Sequence, residues 1–394
     1  MEERYTMNSG LRNTAMGLML VGVVFFVINL VTGAEAHRIW ANFLLNNVYF
    51  MLISLGAIFF MASHRLSNAG WHIGIHRILE SMGSIIWWPG ILLIITFIIA
   101  REDIFHWTDQ ALYIEGTEDY DKIIAHKAPY LNNIFFLMRM AAYVLVWGLA
   151  AYMLRKWSLR ADSDPSIKPF RRMNTISGIF IVFFAVSTST FAWDWIMSTD
   201  AHWFSTLFGW YVFASFWVTA IATVTLILLY LKKLGYLKSV NINHLHDLGK
   251  YMFAFTIMWT YLWFSQYMLI WYANMPEETY YYVQRIEHYK FLFFANLIIN
   301  FCIPFFGLMS RDAKRNPKFL VVIALVIVCG HWIDFFVMIM PGIMGSDWHV
   351  GLLEIGMALT FAGAFILIVF RTLSKAPLMM RNHPYLNESM TYNT

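Results

Sequence analysis

Charge is what this sequence has least of. Only 13% of its 394 residues are Asp, Glu, Lys or Arg, about half the ~25% usual in a soluble domain. That is too few to cover the polar exteriors of the two or three domains such a length would otherwise form. Cysteine is almost missing: Cys302 and Cys329 are the only two, both inside apolar runs, which excludes a disulfide framework or a thiolate metal site. Glycine and proline number only 22 and 10, and no low-complexity stretch separates modules, so 1–394 reads as a single polytopic domain. The basic excess is small, 28 Lys and Arg against 24 Asp and Glu, and too scattered for a nucleic-acid surface.

What is present instead is apolar surface: 59% hydrophobic and 18% aromatic residues. Lipid is the solvent this composition expects. A hydrocarbon core of about 30 Å needs about 20 apolar residues per crossing, and ten runs qualify, near 13–32, 41–62, 79–100, 132–154, 173–193, 208–231, 250–271, 291–309, 319–340 and 351–371. They are expected to be helices, because barrel strands would alternate over about ten residues. Ala34-Glu35-Ala36 after the first run resembles a signal-peptidase site, yet Glu2 and Glu3 spoil a basic leader, so the segment is expected to be retained.

Lys and Arg fall unevenly between the loops, 21 on the side of both termini and six on the other, with Arg139 alone inside a run. The positive-inside rule then places both termini in the cytoplasm. The longest outer loop, 101–131, carries seven acids against three bases. It reads as a solvated loop or as a docking surface for an extracytoplasmic partner.

Two short strings recur at a displacement of four helices. Ile75-His76-Arg77-Ile78 with Met82 is echoed by Leu245-His246-Asp247-Leu248 with Met252, and Ile196 to His202 is echoed by Ile343 to His349. The echo suggests two parallel four-helix bundles, helices 2–5 (41–207) and 6–9 (208–350), with helices 1 and 10 outside.

Ionisable residues inside spans are costly and are functional candidates by default. Five are expected in the outer half of the membrane: Arg139, Asp194, His331, Asp334 and Glu354. Asp334 follows His331 by one turn on the same helical face, a spacing that suits a proton relay. Glu80 is expected to stand alone near the inner end of helix 3, as the mouth of a proton path. The competing reading is structural, with Arg139 pairing Asp194 to tie two helices together.

Other chemistries are excluded. A membrane haem needs facing axial ligands, and His331 is the only histidine expected well inside a span. His72 and His76 lie four apart without an evident third metal ligand. Neither a phosphate-cradling glycine loop nor a nucleophile with a nearby base is visible. Trp87-Trp88-Pro89 is expected to kink helix 3 and to open an aromatic crevice fit for a flat ring.

Three strings are more specific than composition: KAPYLNNIFFLMR (Lys127 to Arg139), AWDWIMSTDAHWFSTLFGWYVF (Ala192 to Phe213) and FSQYMLIWYANMPEETYYY (Phe264 to Tyr282). With them the chain, from helix 2 to helix 10, resembles the NrfD-like (polysulfide-reductase-type) membrane subunits. More narrowly it resembles the two related subunits of bacterial alternative complex III, a quinol:cytochrome c oxidoreductase, and its length is closer to the smaller, quinone-binding subunit 2. The resemblance implies a multi-pass subunit of the bacterial inner membrane, without haem, that serves electron transport from menaquinol. It implies as partners a multi-haem cytochrome c subunit, an iron–sulfur subunit, the larger homologous membrane subunit, further small membrane subunits and a terminal oxidase. No quinol-pocket residue can be carried across by motif. A proton path or a scaffolding role is then as well supported as a quinone crevice; the alternatives outside this family are a secondary transporter and a purely structural scaffold.

Overall fold

The computed structural model describes residues 3–393. Glu2 of the leader reading lies outside them. Among the described residues there is no β-strand; one isolated bridge joins Arg4 to Pro377. Ten long helical segments carry the fold: α1 (Ser9–Val31), α2 (Ala36–Leu66), α3 (Trp71–Ile104), α4 (Asn133–Ala161), α5 (Lys168–Trp195), α6 (Leu207–Lys233), α7 (Ile242–Ala273), α8 (Lys290–Gly307), α9 (Pro317–Met344) and α10 (Leu352–Leu373).

Among the described residues, nine of these are long and apolar enough to cross a membrane, which makes this a multi-pass membrane protein by length and composition. The segment outside that set is α7. It is long enough at 32 residues, but Trp259, Tyr261, Trp263, Gln266 and Tyr267 dilute its aliphatic content.

Local chemistry explains where the helices begin and stop. The side chains of Asn132, Asn241 and Asn316 accept from backbone N–H groups in the first turns of α4, α7 and α9, satisfying donors that have no intrahelical partner. Pro317 opens α9, where a missing N–H costs nothing. Asn274, in the left-handed region at φ 48°, ends α7.

Burial decides which helices form the core. In their most apolar stretches α2 is 83% buried and α6 89%, whereas α1 is 11% buried. The two central helices pack directly on each other, and α2 also meets α3, α5, α9 and α10. The other main contacts pair α4 with α5, α6 with α7 and α9, α8 with α9, and α1 with α10. The α1–α10 crossing is close. A Cβ placed on Gly22 would lie 2.3 Å from the Gly356 carbonyl oxygen, and one on Gly363 2.6 Å from that of Ala15. Small residues let backbones approach in this way where lipid gives no hydrophobic drive to associate.

Two helices are interrupted. In α3 a 3-10 turn at Ser84–Ile86 precedes the α-helical segment Trp87–Ile104. In α8 the turn Ile298–Cys302 is a π-helix, followed by Pro304. The crevice expected at Trp87-Trp88-Pro89 is not formed. Pro89 is the third residue of its segment, where an N–H would have no intrahelical acceptor, and Trp87 fills the space over Gly148, at 2.5 Å from a Cβ built there. Trp88 is 61% exposed.

The final segment, 376–393, is a strap across the end of the molecule where α2 finishes and α3 begins. Ser389 Oγ accepts from Gly74 N (3.0 Å) and donates to Trp71 O (2.9 Å), Glu388 accepts from Gly70 N (3.2 Å), and Leu378 N donates to Glu3 O (2.9 Å). His383 lies 3.4 Å from the Arg65 guanidinium.

Candidate functional site

The ionisable residues singled out from the sequence do not share one hydrogen-bond network. They form four separate centres, and guanidinium groups occupy three of them.

Arg139 of α4 and Asp194 of α5 make a two-pronged ion pair, with Nε and Nη2 donating to the two carboxylate oxygens at 2.9 and 2.8 Å. Tyr143, one turn along α4, donates to the same carboxylate at 2.9 Å. The remaining guanidinium nitrogen donates to Tyr130 O at 3.0 Å, and the Tyr130 ring lies 3.9 Å from the guanidinium carbon.

Glu354, in the first turn of α10, accepts from Arg38 of α2 at 2.9 and 2.8 Å, from Asn42 at 3.0 Å and from Gly351 N at 2.7 Å. Arg38 is its counter-charge.

Glu80 was expected to stand alone and does not. It is fully buried, with Arg77 Nη1 at 2.9 Å, Arg155 at 3.6 Å and His76 Nε2 at 3.2 Å, the last without hydrogen-bond geometry. Arg77 also reaches Asp162 at 2.5 Å. The 3-10 turn Trp71–Ile75 leads into α3, and His64 at the end of α2 and His72 and His76 at the start of α3 are buried. His331 lies at mid-helix in α9.

Asp334 in α9 differs from the other three. It is fully buried, and the groups that reach it are hydroxyl, indole, amide and imidazole rather than guanidinium. Ser215 and Trp259 donate at 2.8 Å to one oxygen; Asn296 donates at 2.6 Å, and Tyr211 also donates, to the other. His331 Nδ1 is 3.4 Å away. The π turn of α8 shapes this centre, since Asn296 precedes it, Asn300 lies inside it, and Asn300 donates to Asn296 Oδ1. Such turns recur at functional positions.

Polar groups continue outward from Asp334. A cavity of about 10 Å³ lies among Tyr211, Gln266, Tyr281 and Arg285, room for about one water, and Gln266 Oε1 has no other partner. Pro341 has no N–H to offer Val337 O, and Arg285 Nε fills that place at 3.1 Å. Arg285 Nη1 lies 3.5 Å from Asp200. Asp200 lines a cavity of about 400 Å³ with His106, His202, Glu277 and Tyr280. At its rim His202 meets Asp121 at 2.5 Å. Burial alone would raise the Asp121 carboxyl; the bonds from His202 and from the N–H groups of Ile123 and Ile124 outweigh it and hold the group below its ordinary range.

A second large cavity, about 450 Å³, lies where α5 ends and α4 begins. It is walled by Tyr130, Leu131, Trp193, Trp203 and Phe204, with His126 and Lys127 beside it.

Among the described residues no group of three or more His, Cys, Asp or Glu is placed to hold a metal ion. Sequence reasoning missed Arg38, Arg77 and Arg155 as counter-charges, and Tyr211, Ser215, Trp259 and Asn296 as donors to Asp334. Only Asn296 and Asn300 carried a signal, two amides four apart in an apolar run.

Comparison with protein-family models and with curated proteins finds no match. The fold and these centres define the chain as an all-helical, multi-pass membrane protein with buried polar centres.

Proposed function

We propose that the chain is the haem-free membrane subunit of a quinol:cytochrome c oxidoreductase of the alternative complex III type, and that it supplies a proton path through its second half. In this reading all ten long helices span a bacterial inner membrane, α7 included, and both termini are cytoplasmic. Helices α2–α5 and α6–α9 form two bundles, and the outer ends carry the cytochrome c and iron–sulfur subunits. Three sequence strings with family resemblance support the assembly, together with the lopsided Lys and Arg distribution.

One observation carries the proton path: Asp334, alone among the four acids singled out from the sequence, has no guanidinium partner. An ionisable residue inside a span and outside any guanidinium pair is the candidate proton carrier. Tyr211 and the small cavity beside Gln266 lie next to it, and Asp200 in the outer cavity is reached past Arg285, whose fixed charge orients the groups on either side without itself carrying the proton. The paired centres at Asp194, Glu354 and Glu80 are struts between helices.

Purification in mild detergent tests the assembly: co-purifying c-type haem absorbance is expected, and a free-standing chain would leave transport or a bare scaffold. Asp334→Asn in the assembled complex tests the path. Proton release per quinol oxidised is expected to fall by at least half while haem content stays constant. Unchanged release would leave Asp334 a packing role.

A further inference from the structure

The 450 Å³ cavity at the junction of α4 and α5 is not used by that proton path. Its walls are apolar and mostly aromatic: Tyr130, Leu131, Trp193, Trp203 and Phe204. One cation stands at it. Lys127 Nζ donates to the carbonyls of Ala201 (2.5 Å) and His202 (3.3 Å) and lies 5.5 Å from the Phe204 ring centre. An ammonium has three protons, so one remains for another acceptor. The cavity sits where α5 ends and α4 begins, which is headgroup depth in the membrane orientation proposed above. Trp and Tyr are the side chains that favour that depth.

The neighbouring polar cavity shares Ala201 with it and presents Asp200 and Glu277. Asp121 and Asp200 are the carboxylates whose charges act on Lys127. Arg285 stands 3.5 Å from Asp200 and His202 meets Asp121, yet the three carboxylates Asp121, Asp200 and Glu277 still outnumber the two fixed cations Lys127 and Arg285, so the surroundings are acidic on balance. A ligand carrying only negative charge would be repelled there, whereas a head with a phosphate followed by an ammonium would match both signs in order.

We propose that these two cavities form one binding site for a zwitterionic phospholipid of the phosphatidylethanolamine class. An acyl chain lies between the aromatic walls, the phosphate takes the third proton of Lys127, and the primary ammonium reaches Asp200 and Glu277. The site stands on cavity shape and charge order alone, and holds whether or not the chain belongs to a quinol-oxidising assembly.

The test is native mass spectrometry of the delipidated protein, titrated with dioleoyl phosphatidylethanolamine or phosphatidylglycerol in mixed micelles. One phosphatidylethanolamine is expected to be retained about tenfold more tightly than phosphatidylglycerol. Lys127→Met is expected to weaken it about tenfold, the loss of one charge-assisted hydrogen bond, while Lys122→Met on the same loop leaves it unchanged. Ser205→Phe, which fills the cavity from its wall, is expected to abolish retention with thermal unfolding unaltered. It decides the matter if Lys127→Met folds poorly. Equal retention of the two lipids, or retention unaffected by Ser205→Phe, would overturn the site and leave an adventitious lipid only.

Discussion

Arg139→Gln is the sharpest probe of whether the paired acids are struts. The substitution removes both charge-assisted bonds to Asp194, at 2.9 and 2.8 Å, and the bond to Tyr130 O. It leaves a carboxylate that is 1% exposed, with Tyr143 still donating to it. Removing one partner of a buried pair costs about 3–5 kcal/mol, because the other charge stays in a poor solvent. The double variant Arg139→Leu with Asp194→Leu removes both charges, and apolar replacements of buried pairs are often close to neutral. It strands only the Tyr143 hydroxyl and the Tyr130 carbonyl, so a net loss of about 1–2 kcal/mol is expected. The double variant should thus be more stable than the single one by about 2–3 kcal/mol. Unfolding with a denaturing detergent, followed by the fluorescence of the 17 tryptophans, measures each. A single-variant cost below about 1 kcal/mol, or a double variant no better than the single, would refute the strut account.

Other perturbations follow from close contacts and from the strap. Gly330→Ala would place a Cβ 2.3 Å from Asn300 Oδ1 and 2.6 Å from Ile299 Cγ2, forcing α8 away from α9. A loss of about 1–3 kcal/mol is expected in the same unfolding assay, with Asn296 withdrawn from Asp334. Gly22→Leu, whose Cβ alone would meet Thr360 Oγ1 at 2.1 Å, should detach α1 and expose the Gly356–Gly363 face of α10 to cysteine labelling. The His383 imidazole is pushed down to about 2 by burial first, then by the Arg65 and His76 charges. The folded strap thus binds fewer protons than the free segment, whose histidine titrates near 6.5. Stability from this residue is full above that value and is lost as pH falls below it. Protease nicking within 376–393 should rise below about pH 6, and His383→Asn should flatten that dependence; a pH-independent wild type would refute it.

Much of the helix layout was legible along the chain because period and composition act locally. Asn caps, Pro317 at a first turn, and long apolar runs place most boundaries within a few residues of those observed. The misreadings share a cause in context. Pro89 was expected to kink α3, and the helix is interrupted at Ser84–Ile86, just before it; the aromatic crevice was misread, because Trp87 packs over Gly148. Glu80 looked isolated although Arg77 lies one turn before it on the same helix; its remaining partners, Arg155 and through Arg77 Asp162, lie 75 or more positions away. The Arg139–Asp194 pair was among the readings of the sequence and is formed, whereas no one-dimensional pattern reports Arg155 beside Glu80 or Arg38 beside Glu354.

The residue types alone dictated a lipid solvent, an all-helical chain and several of the costly buried acids, since each follows from transfer free energies that do not depend on partners. Which acid meets a guanidinium and which does not was decided mainly by tertiary packing. Arg38 and Arg139 are brought to Glu354 and Asp194 by helix crossings, Arg77 meets Glu80 one turn along the same helix, and the π turn of α8 turns Asn296 toward Asp334. Coulomb energy and hydrogen bonding act over a few ångströms in space, and that proximity is a property of the folded molecule.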